Sequence, residues 1–182
     1  SLKEINLPRN LKIINKCAFS LCSNLKSIVI PNSVIEIGDF AFNCCSSLEN
    51  VYLSENIKKI GCSLFLGCFS LKYINIPNKI ESIGSYAFSN CGGITNILLP
   101  ENITEINNNT FKECKSLTSI NLNNINIISK DAFNGCVKLK DVVLSEYLKK
   151  IESKAFYECK SLTKIYIPNS VRDIDKIGRE DL

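Results

Sequence analysis

Histidine, methionine and tryptophan are absent from this chain of 182 residues. Histidine is the commonest general base near neutral pH and a usual zinc ligand. Its absence excludes Ser-His triads, Cys-His dyads and His-containing zinc sites. The acidic side chains do not compensate, because they are spread along the chain and do not pair reliably at one site. We therefore expect no enzymatic activity, no cofactor and no metal site.

Long apolar runs are also missing, since no stretch approaches the ~20 residues that span a bilayer. The sequence begins without the apolar core of a signal peptide and without an initiator Met, so we expect a fragment or a processed chain. The net charge of +4 comes from 22 basic and 18 acidic residues mixed along the chain. These features predict a single folded domain over residues 1–182 that neither binds nucleic acid nor inserts into a membrane.

What the sequence does contain is an internal repeat with a period of 23 residues, shortened once to 22. Each unit begins with a Leu or Ile, followed three and five residues later by further branched aliphatic residues. The eight unit starts are Leu2, Leu25, Leu48, Leu71, Ile94, Leu117, Leu139 and Leu162. Self-similarity at such a period predicts a stack of equivalent structural units.

Further columns of residues recur at fixed positions within the units. All five prolines directly follow the second of these aliphatic residues, where a residue without a backbone N–H ends a short strand. A second apolar pair follows, and the shortened unit lacks one residue in the turn between Leu122 and Ile125. Phe and Cys columns close the units: Phe19, Phe42, Phe65, Phe88, Phe111, Phe133 and Phe156, each followed after three residues by Cys22, Cys45, Cys68, Cys91, Cys114, Cys136 and Cys159.

A unit this short cannot bury its own apolar face, so neighbouring units must stack and cover one another. The alternating segments around Ile28 then lie in register and form a continuous parallel sheet along one side of a coil. The stretch that ends in Phe and Cys is too short for more than one irregular turn of 3₁₀ or α-helix on the opposite side. We expect the Phe rings to fill the space between these two walls.

A representative unit reads Leu71-x-x-Ile74-x-Ile76-Pro77-x-x-Ile80-x-x-Ile83-Gly84-x-x-Ala87-Phe88-x-x-Cys91. It resembles the BspA-like leucine-rich repeat, also called the Treponema pallidum type, over residues 2–174. The resemblance implies a right-handed α/β-type horseshoe solenoid of about eight repeats, with strands on one face and short helical turns or loops on the other. Many relatives are surface proteins that attach to host or neighbouring cells, which implies a cell-surface or secreted location.

The last unit departs from this pattern, because it lacks the Ala-Phe and Cys positions and is charged where earlier units are apolar. Repeat arrays commonly end in a polar unit that shields the core from water. We therefore expect residues 175–182 to form a polar terminal cap or a tail.

The ten cysteines allow three interpretations. Seven of them occupy one column, and Cys17, Cys44 and Cys62 lie outside it. None of the close Cys-x-x-Cys pairs that bind a metal is present, which disfavours a metal site. The favoured interpretation is buried reduced thiols that pack as small hydrophobic groups, and the alternative is that some thiols of neighbouring units are oxidised in pairs.

The outward positions of the predicted strands form an ordered surface of aromatic, aliphatic and Asn side chains, residue types that are effective in recognition. The candidate partner-binding residues are Val29, Tyr52, Tyr73, Asn75, Leu98, Asn121, Val143 and Tyr166. The alternative explanation is that such residues simply suit strands.

The sequence therefore favours a non-catalytic interaction module that binds a protein or glycan partner through the strand face. Two other functions stay open, a structural spacer array and an intracellular leucine-rich-repeat adaptor in the cytoplasm, the latter favoured by abundant reduced cysteine. We expect a monomer or weak end-to-end association, because an end unit leaves a bare sheet edge.

Overall fold

A computed structural model describes residues 2–178, which wind into a parallel β-solenoid. Each repeat forms one coil, called a rung here, and the rungs are numbered 1 to 8 from the eight unit starts. The described residues contain no helix, and all regular structure is in short strands. The strands are β1 (Ile13–Ile14), β2 (Ser27–Val29), β3 (Glu36–Ile37), β4 (Asn50–Tyr52), β5 (Lys59–Ile60), β6 (Tyr73–Asn75), β7 (Ser82–Ile83), β8 (Glu105–Ile106), β9 (Ser119–Leu122), β10 (Ile127–Ile128), β11 (Asp141–Leu144), β12 (Lys150–Ile151) and β13 (Asp173–Ile174).

The first line of strands consists of the strands that lie before the proline position of each rung, and these strands show the predicted parallel pairing. Strands β2, β4 and β6 form one sheet and β9 and β11 form another. Equivalent residues are in register, so that Ile28 pairs with Val51 and Val51 with Ile74. The prediction of a continuous sheet was wrong, because rungs 1, 5 and 8 have no strand on this side within the described residues.

A second line of strands follows the turn that begins at each proline. In rung 2 the Val34 N–H donates to the Pro31 carbonyl at 2.9 Å, which closes this turn. In the shortened rung 6 the Ile125 N–H donates to the Leu122 carbonyl at 3.0 Å, so the missing residue lies in this turn, as predicted. The strands that follow pair as β1 with β3, β5 with β7, and β8, β10, β12 and β13 in one sheet.

The third side replaces the predicted helical turn with a ladder of tight turns, called the turn ladder here. In rung 4 the Phe88 N–H donates to the Thr110 carbonyl of rung 5 at 2.9 Å, and Tyr86 and Asn90 donate to rung 5 in the same way. Tyr86 and Asn90 have positive φ angles of 59° and 61°, which a right-handed helix does not allow. Equivalent residues lie four apart on either side of each Phe: Cys17, Leu21, Phe40, Cys44, Ser63, Gly67, Tyr86, Asn90, Asn109, Glu113, Asp131, Gly135, Lys154 and Glu158.

The Phe column forms a continuous stack between the strand and turn sides, as predicted. Successive ring centroids from Phe19 to Phe156 lie 5.3–5.7 Å apart, with interplanar angles of 3–12°. The five rings from Phe42 to Phe133 are fully buried. Burial of each such ring contributes about 1.5–3 kcal/mol, and its truncation to Ala typically costs about 3–5 kcal/mol.

The Cys column lies beside this stack, and six of its seven members are buried. Each of the six donates its thiol hydrogen to the carbonyl of the Phe in the preceding rung, at 3.0–3.2 Å. Burial raises the pKa of Cys45, Cys114 and Cys159 to about 12, and raises the pKa of the other three well above its usual value. None of the ten cysteines is in a disulfide, so the structure agrees with the buried-thiol interpretation for these six.

The last rung is described as far as Gly178. The Asp175 N–H donates to the Ile151 carbonyl at 3.0 Å, and Ile177 packs partly buried against the core. The predicted polar cap or tail at residues 175–182 is therefore visible only in its first part, which continues the coil. Residues 179–182 lie outside the described part of the chain.

Candidate interaction face

The strand face consists of the side chains that alternate outward along the first line of strands. In β2 the side chain of Ile28 is buried whereas that of Val29 is 63% exposed, so alternation places the predicted residues outward. Six apolar or aromatic residues of this face are exposed: Val29, Tyr52, Tyr73, Leu98, Val143 and Tyr166. The side-chain directions predicted from the period of two are thus observed for these six.

Three of these residues form one contiguous patch on the sheet of β2, β4 and β6. Val29 lies directly opposite Tyr52 in the parallel pairing. The rings of Tyr52 and Tyr73 contact each other diagonally across β4 and β6, with centroids 5.4 Å apart and planes tilted by 47°. We call Val29, Tyr52 and Tyr73 the tyrosine patch.

A charge pair between rungs 3 and 4, the rungs of Tyr52 and Tyr73, borders the tyrosine patch. Lys72 Nζ lies 2.8 Å from a carboxylate oxygen of Glu49. The hydrogen bond from Lys72 lowers the pKa of the Glu49 carboxyl below its usual value. The charge of Lys26 also acts on Glu49, so one carboxylate lies among two ammonium groups beside the tyrosines.

The two Asn residues predicted for this face make hydrogen bonds within the chain. Asn75 Oδ1 accepts a hydrogen bond from the Leu53 N–H at 2.6 Å, in the position where a backbone carbonyl would extend the ladder. Asn121 Oδ1 accepts one from the Asn123 N–H at 3.0 Å and supports the shortened turn. Their amides therefore hold the ends of strands, a role that the spacing of outward residues did not reveal.

Leu98 is the most exposed large apolar side chain of the strand face, at 85%. It lies on rung 5, which has no strand on this side, and clefts open on both flanks of its segment. A cleft of about 340 Å³ separates it from rung 4 and one of about 400 Å³ lies between rungs 5 and 6. The segment directly follows the Gly92-Gly93 pair, which no other repeat contains.

The clefts divide the candidate residues into two groups. The tyrosine patch and Asn75 lie on one sheet, whereas Asn121 and Val143 lie on the sheet of β9 and β11. Tyr166 lies beyond them on rung 8, with Lys164 Nζ 4.5 Å from the centroid of its ring. The candidate residues therefore lie on two separate sheets and on the unpaired segments of rungs 5 and 8.

Residues 2–178 contain neither a metal-binding cluster nor a membrane-spanning helix. In this part of the chain no group of three or more Cys, Asp or Glu residues is placed to hold a metal ion. The same residues form no helix long and apolar enough to cross a bilayer.

The columns of Leu, Ile, Pro, Phe and Cys correspond to a known repeat. The model of the BspA type leucine-rich repeat region matches residues 1–118 and 58–177, with six copies in all. The chain belongs to this family. Leucine-rich repeats of this kind generally mediate protein interactions. No curated protein matches the sequence significantly.

Solved structures support the same fold. The T. pallidum leucine-rich repeat protein is 28% identical with a TM-score of 0.79, over 86% of this chain and 76% of that one. A leucine-rich cell surface protein of Faecalibacterium prausnitzii is 25% identical with a TM-score of 0.63, over 97% of this chain and 54% of that one. A leucine-rich repeat protein of Eubacterium ventriosum shares the fold, with 22% identity and a TM-score of 0.72 over 87% of this chain and 45% of that one. The chain thus spans about half the length of the last two.

Proposed function

We propose that this chain is a non-catalytic interaction module of a cell-surface or secreted adhesion or recognition protein, and that it binds a protein partner through the strand face. The tyrosine patch is the observation that carries the proposal. It combines two contacting rings that are 43% and 48% exposed with an aliphatic neighbour that is 63% exposed.

Physical chemistry favours this patch as the centre of an interface. Tyr buries a large area on binding and loses little conformational entropy, because it has few rotatable bonds. Here the contact between the two rings restricts them further, so less order has to be imposed when a partner binds. Contiguous exposed apolar groups with a polar surround mark interaction sites more often than scattered ones do.

The surface location rests on family relationship, since the similar Faecalibacterium prausnitzii protein is described as a cell surface protein. One observation favours the intracellular adaptor instead, namely ten cysteines without a disulfide, which suit a reducing compartment. Both functions use the same face, so they differ in the partner and the compartment and not in the binding residues.

The test uses the purified chain on arrays of immobilised cell-surface proteins, matrix proteins and glycans. We expect a protein to bind, and the double variant Tyr52→Ala/Tyr73→Ala to weaken its binding about 30-fold or more, the effect of losing a hot spot worth at least about 2 kcal/mol. Affinity is measured by surface plasmon resonance. The thermal midpoint should change little, because both rings are substantially exposed.

A matched control replaces two exposed tyrosines outside the strand face, Tyr86 and Tyr147, which are 42% and 60% exposed. The Tyr86→Ala/Tyr147→Ala variant should keep the affinity of the unmodified chain. Equal losses in both double variants would refute the strand face as the site. Binding to nothing on the arrays would favour the spacer, and binding to glycans alone would contradict a protein partner.

A further inference from the structure

Three lines of backbone contacts hold successive rungs together: the first line of strands, the second line of strands and the turn ladder. The junction of rungs 6 and 7 has all three. Strand β9 pairs with β11 and β10 pairs with β12, and the Phe133 N–H donates to the Ala155 carbonyl at 2.8 Å. The junction of rungs 3 and 4 is built in the same way.

At the junction of rungs 4 and 5 the turn ladder is the one of these three lines that is present. Within residues 2–178, β6 and β7 are the edges of their sheets and neither pairs with rung 5. On the side of the second line two side chains bridge the rungs instead of the backbone: Asn107 Nδ2 donates to the Ile83 carbonyl at 2.7 Å, and Asn102 Nδ2 donates to the Asn78 carbonyl at 2.9 Å. One rung earlier the Gly84 N–H makes the corresponding contact with the Ile60 carbonyl at 2.8 Å. The turn ladder continues, with the Phe88 N–H 2.9 Å from the Thr110 carbonyl.

Every other junction in the described part of the chain keeps at least one line of strands beside the turn ladder. Strand β1 pairs with β3 between rungs 1 and 2, and β2 with β4 between rungs 2 and 3. Strand β8 pairs with β10 between rungs 5 and 6, and β12 with β13 between rungs 7 and 8. Among the seven junctions of the described residues, the junction of rungs 4 and 5 therefore has the fewest backbone hydrogen bonds.

The clefts show where the backbone separates. The entry to rung 5 remains tightly seated on rung 4, because a Cβ at Gly93 would lie 2.7 Å from the Leu71 carbonyl oxygen. The segment that follows leaves its neighbours, with the cleft of about 340 Å³ on one side and Leu98 pointing into solvent. On the opposite side the Phe stack is unbroken, with Phe88 and Phe111 at 5.5 Å.

We propose that the junction of rungs 4 and 5 is a joint that divides the solenoid into two cooperative blocks, rungs 1–4 and rungs 5–8. In a solenoid each rung contacts its neighbours alone, so the interface with the fewest contacts opens first. The joint opens first on the strand side, and full separation of the two blocks then breaks the turn-ladder bonds between rungs 4 and 5. Its opening changes the distance between the tyrosine patch and Val143. The proposal does not depend on the proposed function.

Hydrogen exchange of the unmodified chain, followed residue by residue with NMR, tests the joint. The matched comparison uses turn-ladder amides that have equivalent bonds, Tyr86, Phe88 and Asn90 at the joint, and Asp131, Phe133 and Gly135 between rungs 6 and 7. After correction for intrinsic rates, we expect the first set to exchange at least about 10-fold faster than the second, because local opening exposes it. Equal or slower exchange at the joint would overturn the proposal.

Two variants of the Phe stack provide a second test. Phe88 and Phe133 are both fully buried between two stacked rings, but Phe88 borders the joint and Phe133 borders a fully bonded junction. We expect Phe88→Leu to separate urea unfolding into two steps and Phe133→Leu to leave one step. One step in both variants, or two steps in both, would contradict a specific joint. If Phe88→Leu fails to fold, exchange in the unmodified chain decides.

Discussion

At the scale of single residues, the buried cysteines combine two properties that few side chains offer together. The Phe88 carbonyl accepts the Cys91 N–H of its own rung at 3.1 Å and the thiol of Cys114 in the next rung at 3.1 Å. A thiol is small and apolar enough for the core, and it is also a weak hydrogen-bond donor. Ala would lack the donor, and the larger aliphatic residues would not fit the same space. The column thus adds a hydrogen-bonded line inside the core.

The thiols should differ sharply in reactivity, because the thiolate is the nucleophile and burial raises the pKa of the six column thiols. With iodoacetamide at pH 8 we expect the exposed Cys17 and Cys62 to react first and the half-buried Cys22 and Cys44 more slowly. The six buried thiols should react after denaturation. Peptide mass spectrometry identifies the sites, and rapid native labelling of any of the six buried thiols, hence of five or more thiols in all, would contradict this assignment.

The buried-thiol interpretation of the Cys column holds for six of its seven members, since Cys22 is only half-buried, but the sequence did not predict the hydrogen bonds of the six. The column spacing revealed that Cys91 and Cys114 are equivalent, whereas the acceptor is a backbone carbonyl, which leaves no trace in side-chain patterns. Asn75 is similar. Alternation placed it on the strand face, but its bond with the Leu53 N–H depends on the local geometry at the end of β4 and β6.

At the scale of elements, the turn ladder shows why, of the predicted helical turns or loops, the helical alternative was wrong in the described residues. Left-handed residues mark tight turns in a sequence mainly when they are Gly, since Gly adopts positive φ without steric cost. Here Gly67 and Gly135 are the glycines among the fourteen described positions with positive φ. Residues as different as Tyr86 and Lys154 occupy the others, so the pattern was hidden. The strands, in contrast, were predicted because aliphatic alternation and proline are direct consequences of their geometry.

A pair of Ser→Gly substitutions tests the turn ladder energetically. Ser63 has a φ of 53°, a conformation that costs an L-residue roughly 1–2 kcal/mol, whereas Ser85 lies outside this region. Gly removes that cost but loses about 0.5–1 kcal/mol of chain entropy at any position. We expect Ser63→Gly to leave the free energy of unfolding unchanged or raise it by up to about 1.5 kcal/mol. Urea denaturation measures the change.

The control in the next rung is Ser85→Gly. It gains nothing from a left-handed conformation, so it should lower the free energy of unfolding by about 0.5–1 kcal/mol. If both variants are destabilised equally, the positive φ at Ser63 contributes no strain and the turn ladder is not a series of constrained turns.

At the scale of the whole molecule, the columns predicted the solenoid because each one recurs in nearly every rung. They could not predict the interruption at rung 5, since Ile94, Ile97 and Leu99 keep the aliphatic pattern of the paired rungs. The interruption shows in the backbone pairing, since neither β6 nor β7 pairs with rung 5 in the described residues. The repeat pattern therefore identifies the family and the core, but not the division of the strand face into two parts.

The absence of histidine and the column of thiols together predict an unusual pH dependence. No side chain has its ordinary pKa between about pH 5.5 and 8, so stability should be nearly constant there. Above this range the unfolded thiols ionise from a pKa of about 8.5, whereas burial keeps the folded thiols protonated, with a pKa of about 12 for Cys114. The stabilisation is complete below the unfolded pKa and is lost as the pH rises toward the folded pKa.

Well above the unfolded pKa each buried thiol should lower the free energy of unfolding by up to about 1.4 kcal/mol per pH unit, and near that pKa by less, so six of them make the alkaline decline progressively steeper. Urea midpoints in reducing buffer at pH 7, 8, 9 and 9.5 measure the slope before Lys and Tyr titrate. Cys91→Ser removes one buried thiol. It should reduce the slope by the contribution of that one thiol, whatever the substitution does to stability at pH 7. Cys62→Ser removes an exposed thiol and should leave the slope unchanged. A free energy of unfolding that stays constant to pH 9.5 would mean that the pKa values of the column thiols are not raised in the folded protein.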